Sequence, residues 1–150
     1  PEELAEAPLS EIERIIHSTG FYRNKARHLK KAALAVHSRF GGSVPERMED
    51  LLSIPGVGRK SANVVRGHCF GLPAVIVDTH FSRVCRRTGL SRADTPEKIE
   101  REIAGLLPEA GHTPFSMRIN LHGRYVCKAK NPLCGGCAAG KACEFRAGSM

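Results

Sequence analysis

No apolar run in this sequence reaches the length that a membrane-spanning helix needs, and the chain does not open with a basic stretch followed by an apolar one. Neither a membrane partner nor a secretory signal is therefore expected. Acidic residues are missing from a long stretch. None stands between Glu13 and Glu46, where Arg14, Arg23, Lys25, Arg27, Lys30, Lys31 and Arg39 all fall. No internal repeat or low-complexity segment occurs, which sets aside a repeat array. The first residue is Pro1 rather than methionine, so the sequence reads as a fragment or a processed form.

What is present suits a folded protein. The 150 residues are enough for one domain or for two small lobes sharing a core, and the apolar fraction of 41% supports a packed interior. The net charge is +8 and the isoelectric point about 9.5, which points to an anionic partner. One basic run is as easily a solvated helix face. Here excess positive charge also gathers at Arg83, Arg86 and Arg87 and again at Arg124, Lys128 and Lys130, so a polyanion is the better reading, and nucleic acid is the commonest one. Four of the six cysteines fall close together near the C-terminus, while Cys69 and Cys85 lie alone in helical patterns. That clustering reads as a metal site in a reducing compartment rather than a disulfide framework.

The hydrophobic pattern predicts helix after helix. Ser10 and Glu13 have capping-box spacing before a face of Ile12, Ile15 and Ile16, with Gly20 as the stop. A second helix is expected from about Asn24 to Phe40, on a stripe of Ala26, Leu29, Ala33, Val36 and Phe40, ended by Gly41 and Gly42. Ser43 and Glu46 repeat the capping spacing before a short helix that buries Met48, Leu51 and Leu52. Pro73 to Val77 is β-branched and unbroken, but no partner strand exists, so an extended buried crossing is expected. Asp78 then caps a helix with Phe81, Val84 and Cys85 inside, closing at Gly89. Thr95-Pro96 opens a helix through Ile99, Ile103, Leu106 and Leu107, and a last one starts near Thr113-Pro114. Cys69 and Cys85 read as small core residues. The class is all-α.

Three features carry chemistry. Pro55-Gly56-Val57-Gly58-Arg59-Lys60 joins two helices through a tight glycine turn, with Ile54 and Val57 as anchors. Backbone N–H groups at the start of the second helix suit a phosphate, and such a hairpin contacts DNA backbone without reading bases. Gly56, Val57, Gly58 and Arg59 are its candidate contacts. Lys60 sits in the first turn of that helix; most lysines are solvated charges, and a lysine is a nucleophile only as the free amine. Asp78 is explained by capping alone. Cys127, Cys134, Cys137 and Cys143 form C-x6-C-x2-C-x5-C, which can wrap one tetrahedral zinc or one iron–sulfur cube.

The segments Leu52 to Val65, Phe70-Gly71-Leu72-Pro73, Val77-Asp78-Thr79-His80, Arg83-Val84, Leu121-His122-Gly123-Arg124-Tyr125 and the cysteine loop closely resemble the endonuclease III family of DNA glycosylases. The match is nearly colinear across the chain. The resemblance implies a two-lobed helix-hairpin-helix glycosylase fold with a C-terminal [4Fe-4S] loop. Residues 1–72 would form part of a helical barrel lobe and 73–150 the cluster lobe. It further implies excision of oxidised pyrimidines from damaged double-stranded DNA, with abasic-site lyase activity. In the family a lysine and an aspartate face each other across a cleft. On that pattern Lys60 attacks the sugar C1′ to give a Schiff base and β-elimination, and Asp78 helps deprotonate it and stabilises the cationic sugar. The four cysteines would hold the cluster, Lys128 and Lys130 would meet phosphates, and Thr79, His80 and Arg83 would help hold the lesion strand. The sister adenine and mismatch glycosylases usually lack lysine at this place, whereas a non-catalytic binding module with a zinc-stabilised tail is the alternative of another class. A monomer inside the cell, at the nucleoid in a bacterium, is expected. The family's N-terminal segment, with a glutamine that fills the hole left by the flipped base, has no counterpart here, so part of the lesion pocket is expected to be absent.

Overall fold

Pro8 divides the first helical stretch in two. In the computed structural model, which describes residues 1–148, α1 (Glu2–Glu6) ends before it and α2 (Leu9–Ile15) begins after it. Proline disfavours helical backbone in the residue before it, and Ala7 is accordingly extended. Ser10 therefore lies inside α2 and caps nothing, and the helix ends well before Gly20. Ile12 is buried while Ile15 is 67% exposed, because two short turns present a single residue to the core. The second expected capping box fails for a related reason. Pro45 disfavours helical backbone at Val44, residues 44–46 take no regular structure, Arg47 is extended, and α4 runs only from Met48 to Leu52 without a side-chain cap. Leu52, expected inside, is 42% exposed.

Between them lies α3 (Tyr22–Phe40), which starts two residues earlier than its pattern suggests. Ala26, Ala33, Ala35 and Val36 are buried, and small residues along this stripe let α1 and α2 pack closely on it. Leu29 stays half-exposed. Gly41 and Gly42 adopt left-handed backbone and donate back to the Val36 carbonyl, which terminates the helix as predicted. The chain divides into two compact units, Pro1–Val65 and Arg66–Met150. The core of the first joins Ala35, Val36, Leu51, Ile54 and Ala62. Arg39 donates to the Ser53 carbonyl and hydroxyl at 3.2 and 3.0 Å, tying the end of α3 to the turn after α4.

The division falls within α5 (Arg59–Cys69). Cys69 ends that helix and is exposed, contrary to its reading as a core residue; Cys85 is fully buried. After α5, Ala74 to Val77 are all buried without forming a strand. Two of their backbone polar groups meet side chains instead. Ile76 N–H donates to Ser116 Oγ at 2.9 Å, and Thr113 donates to the Ala74 carbonyl at 3.3 Å. Both partners lie on α8 (His112–Tyr125). The core of this unit gathers Val75, Val77, Phe81, Cys85, Ile99 and Ile103 from the crossing, α6 (Thr79–Thr88) and α7 (Pro96–Leu106). Phe81 meets Phe115 of α8 edge to face, with centroids 6.2 Å apart. Thr95 caps α7 with proline in the first turn, but Leu106 points outward, 61% exposed. Beyond α8 come the cysteine loop, with short 3-10 turns at Cys134–Gly136 and Gly140–Ala142, and α9 (Glu144–Ala147). No helix among the described residues is long and apolar enough to cross a membrane.

Candidate functional site

The hairpin is built by α4, a turn and α5. Ile54 is buried and its carbonyl accepts from Val57 N–H at 3.1 Å, so the turn is pinned to the core beneath it. Gly56 has φ +85, and a Cβ there would stand 2.8 Å from His28 Cβ. Both the backbone and the space require glycine. Gly58 accepts from Ala62 N–H at 2.9 Å, which places it just before the first turn of α5. Arg59 and Lys60 occupy that first turn, both exposed, and no acidic residue accompanies them. The leading N–H groups of a helix have no intrahelical acceptor, so this end combines outward donors with positive side chains.

Asp78 stands at the start of α6 with one oxygen, Oδ1, accepting from Phe81 N–H at 2.8 Å. The capping role read from the sequence is thus present. The other oxygen, Oδ2, accepts from the side-chain amide of Asn120 on α8. Thr79 beside it is exposed and His80 half-buried. Arg83 does not reach outward. Its guanidinium donates to the Gly123 carbonyl at 2.7 Å and the Cys127 carbonyl at 3.1 Å, and lies 3.2 Å from His80 Nδ1. These bonds tie Arg83 to the end of α8, a role the sequence did not indicate. One helical turn on, Arg87 donates to the carbonyls of Lys128 and Ala129 at 2.7 and 3.0 Å, and its guanidinium covers the Phe145 ring at 4.6 Å. The loop that carries exposed Lys128 and Lys130 is therefore held by two arginines of α6.

All four clustered cysteines line one recess of about 360 Å³, solvent-open space included, together with Val126, Leu133 and Phe145. Arg87 donates to Cys127 Sγ at 3.5 Å, and Cys137 Sγ lies 3.6 Å from His122 Nε2. Among the described residues no three His, Cys, Asp or Glu side chains form a group that fits a single metal ion. Burial pushes the thiol of Cys85, which is outside this recess, up to about 12. Sequence reasoning missed Asn120 and the loop-holding roles of Arg83 and Arg87. The one local signal was Gly123, a glycine inside a helix, which often marks a close approach. A Cβ there would meet His80 Cβ at 2.9 Å and the His80 carbonyl at 3.1 Å.

Comparison with known proteins places this geometry. A family model described as "HhH-GPD superfamily base excision DNA repair protein" matches residues 1–109. The chain is 49% identical over 141 residues to endonuclease III of Synechocystis, covering 93% of the chain and 64% of that relative. It is 40% identical over 145 residues to endonuclease III of Thermotoga maritima, covering 97% and 68%. Among solved structures it is similar to a trapped endonuclease III–DNA covalent intermediate, with a TM-score of 0.95 and 38% identity, covering 100% of the chain and 71% of that one. A thermostable thymine-DNA glycosylase matches with a TM-score of 0.89 and 26% identity, covering 98% and 70%. The chain thus spans about two thirds of the length of the curated relatives it matches. It belongs to the HhH-GPD superfamily of base excision DNA repair proteins, within the endonuclease III family.

Proposed function

We propose that this chain carries the reacting groups of a DNA N-glycosylase that removes oxidised pyrimidines from damaged double-stranded DNA and then cleaves the abasic site as a lyase. The observation that carries the reading is an exposed lysine in the first turn of the hairpin's second helix, in a chain similar to an endonuclease III trapped covalently on DNA. Gly56, Val57, Gly58 and Arg59 approach the phosphate backbone, where close contact without base readout holds the duplex. The lesion nucleotide is flipped out of the stack, at a cost of a few kcal/mol that a damaged base reduces.

Lys60 Nζ, as the free amine, then attacks the sugar C1′ and the base leaves with the bonding pair. The substituted nitrogen then gives up a proton and the C1′–O4′ bond opens, O4′ taking a proton, to leave a Schiff base; that permits loss of a C2′ proton and elimination of the 3′ phosphate, which breaks the strand. Asp78 takes a proton from Lys60 and stabilises positive charge developing on the sugar. Thr79 and His80 line the strand beside it. Cys127, Cys134, Cys137 and Cys143 hold a [4Fe-4S] cluster. The four cysteines line one recess, and their C-x6-C-x2-C-x5-C spacing, like that of the endonuclease III family, supports this reading. When bound, the cluster supplies a structural cross-link that folds a loop poor in apolar residues and presents Lys128 and Lys130 to phosphates. On this reading residues 73–150 are the cluster lobe, residues 1–72 belong to the barrel lobe, and the enzyme works as an intracellular monomer.

Borohydride trapping on a lesion-bearing duplex tests the core of this proposal. The parent protein should form a covalent DNA adduct, and Lys60→Gln should abolish it while duplex binding largely survives. Undiminished trapping by Lys60→Gln would sink the assignment.

A further inference from the structure

We propose that Asn120 is a positioning residue for Asp78, fixing the direction in which that carboxylate faces the reacting sugar. The inference rests on the catalytic reading of Asp78 and deepens it. A helix cap needs one acceptor oxygen, and Oδ1 already serves as that acceptor for Phe81 N–H at 2.8 Å. The bond from Asn120 to Oδ2 comes from a different helix and is not needed for capping. With one oxygen anchored to α6 and the other to α8, the plane of the carboxylate is set.

The surrounding fold is built to make this second bond. Gly123 lies one turn beyond Asn120 on α8, and its missing side chain lets the α8 backbone close on His80 and Val84 of α6. Arg83 locks that approach by donating to the Gly123 carbonyl at 2.7 Å. Close approach is what allows a side chain as short as asparagine to span from one helix to the other. Asn120 is itself half-buried, where an amide is costly unless hydrogen-bonded. An ionised carboxylate only accepts, so Asn120 must present its NH2 to it. Each carboxylate oxygen has more than one acceptor direction, so both bonds leave room for a proton or a cationic substrate atom.

The test measures single-turnover cleavage and duplex affinity with the full natural chain in its cluster-loaded form. Asn120→Leu should lower the rate constant about ten- to a hundredfold, the worth of a hydrogen bond to a charged group. The dissociation constant should stay within about twofold, since the interaction acts on chemistry rather than on binding. Asn120→Asp keeps the shape and replaces the donor with a second carboxylate, so it should fall at least as far; Asn120→Gln should recover part of the rate. In an Asp78→Asn background, adding Asn120→Leu should change nothing further. If Asp78→Asn itself cleaves at the parental rate, the catalytic reading of Asp78 and this proposal fall together. If Asp78→Asn is slow but Asn120→Leu and Asn120→Asp are fast, or if Asn120→Leu slows both backgrounds by the same factor, the positioning role alone is overturned.

Discussion

Replacing Gly123 by alanine probes the approach of α8 to α6 on which the Asp78 environment depends. The added Cβ would stand 2.9 Å from His80 Cβ, 3.1 Å from the His80 carbonyl oxygen and 3.2 Å from Val84 Cγ2. The carbonyl belongs to the backbone of α6 and Val84 is buried, so neither can yield without shifting the helix. Overpacking of such a site costs about 1–3 kcal/mol. Alanine inside a helix regains roughly 1 kcal/mol over glycine, so the net loss is about 0–2 kcal/mol, and the backbone contact places it in the upper half. For a chain of this size that lowers Tm by roughly 2–8 °C. Gly105 in α7 is the control, because nothing lies within 4 Å of a Cβ built there. Gly105→Ala retains only the propensity gain and should melt no lower than the parent. Circular dichroism melts of the three proteins side by side decide the matter. Cleavage activity should fall further in Gly123→Ala than stability alone explains, because the Asn120 and Arg83 bonds lengthen with the helix separation. A Gly123→Ala protein that melts at or above the parent refutes the packing argument.

The cysteine recess makes a compositional prediction: the purified protein should carry about four irons and four sulfides per chain with broad visible absorbance. Cys134→Ser or Cys137→Ser should lose both, and stoichiometric zinc after iron-supplemented expression would point to the binding-module alternative. Native alkylation at about pH 8 should label exposed Cys69 and spare buried Cys85, read by peptide mass spectrometry. Because burial raises the Cys85 thiol from 9.0 to about 12, its contribution favours the folded state in full below pH 9.0 and is lost as the pH rises toward about 12. Urea midpoints that do not fall across that alkaline window, compared with Cys85→Ala, would contradict this. Lys128→Ala combined with Lys130→Ala should flatten the salt dependence of duplex affinity, which runs at about 0.9 log units per neutralised phosphate, and leave lesion preference intact. Lost preference with an unchanged slope would assign the loop a recognition role.

Features whose physics is local were legible in the sequence. The helix stripes, the Thr95 and Asp78 caps, the stop at Gly41-Gly42, the glycine hairpin and the extended crossing at 74–77 all depend on residues within a turn or two of each other. The cysteine spacing belongs with them, since four thiols in so short a loop are gathered into one recess by the chain itself. Where prolines stood near a capping pattern, the local reading gave way to another local rule, and both expected capping boxes vanished.

Tertiary structure decided what happens between segments distant along the chain. Which apolar residues of a stripe are buried depends on how far a neighbouring helix reaches, so Ile15, Leu52 and Leu106 lie outside while Ile12, Leu51 and Ile103 lie inside. Arg83 and Arg87 look like open DNA-binding charges in the sequence, yet their donors meet carbonyls at the end of α8 and in the loop beyond it. Asp78 could be read as a cap from Phe81 alone, but its second oxygen is met by Asn120 from another helix. A sequence states which groups can donate and accept. Only the packing of α8 on α6 through Gly123 determines which of them come within hydrogen-bonding distance.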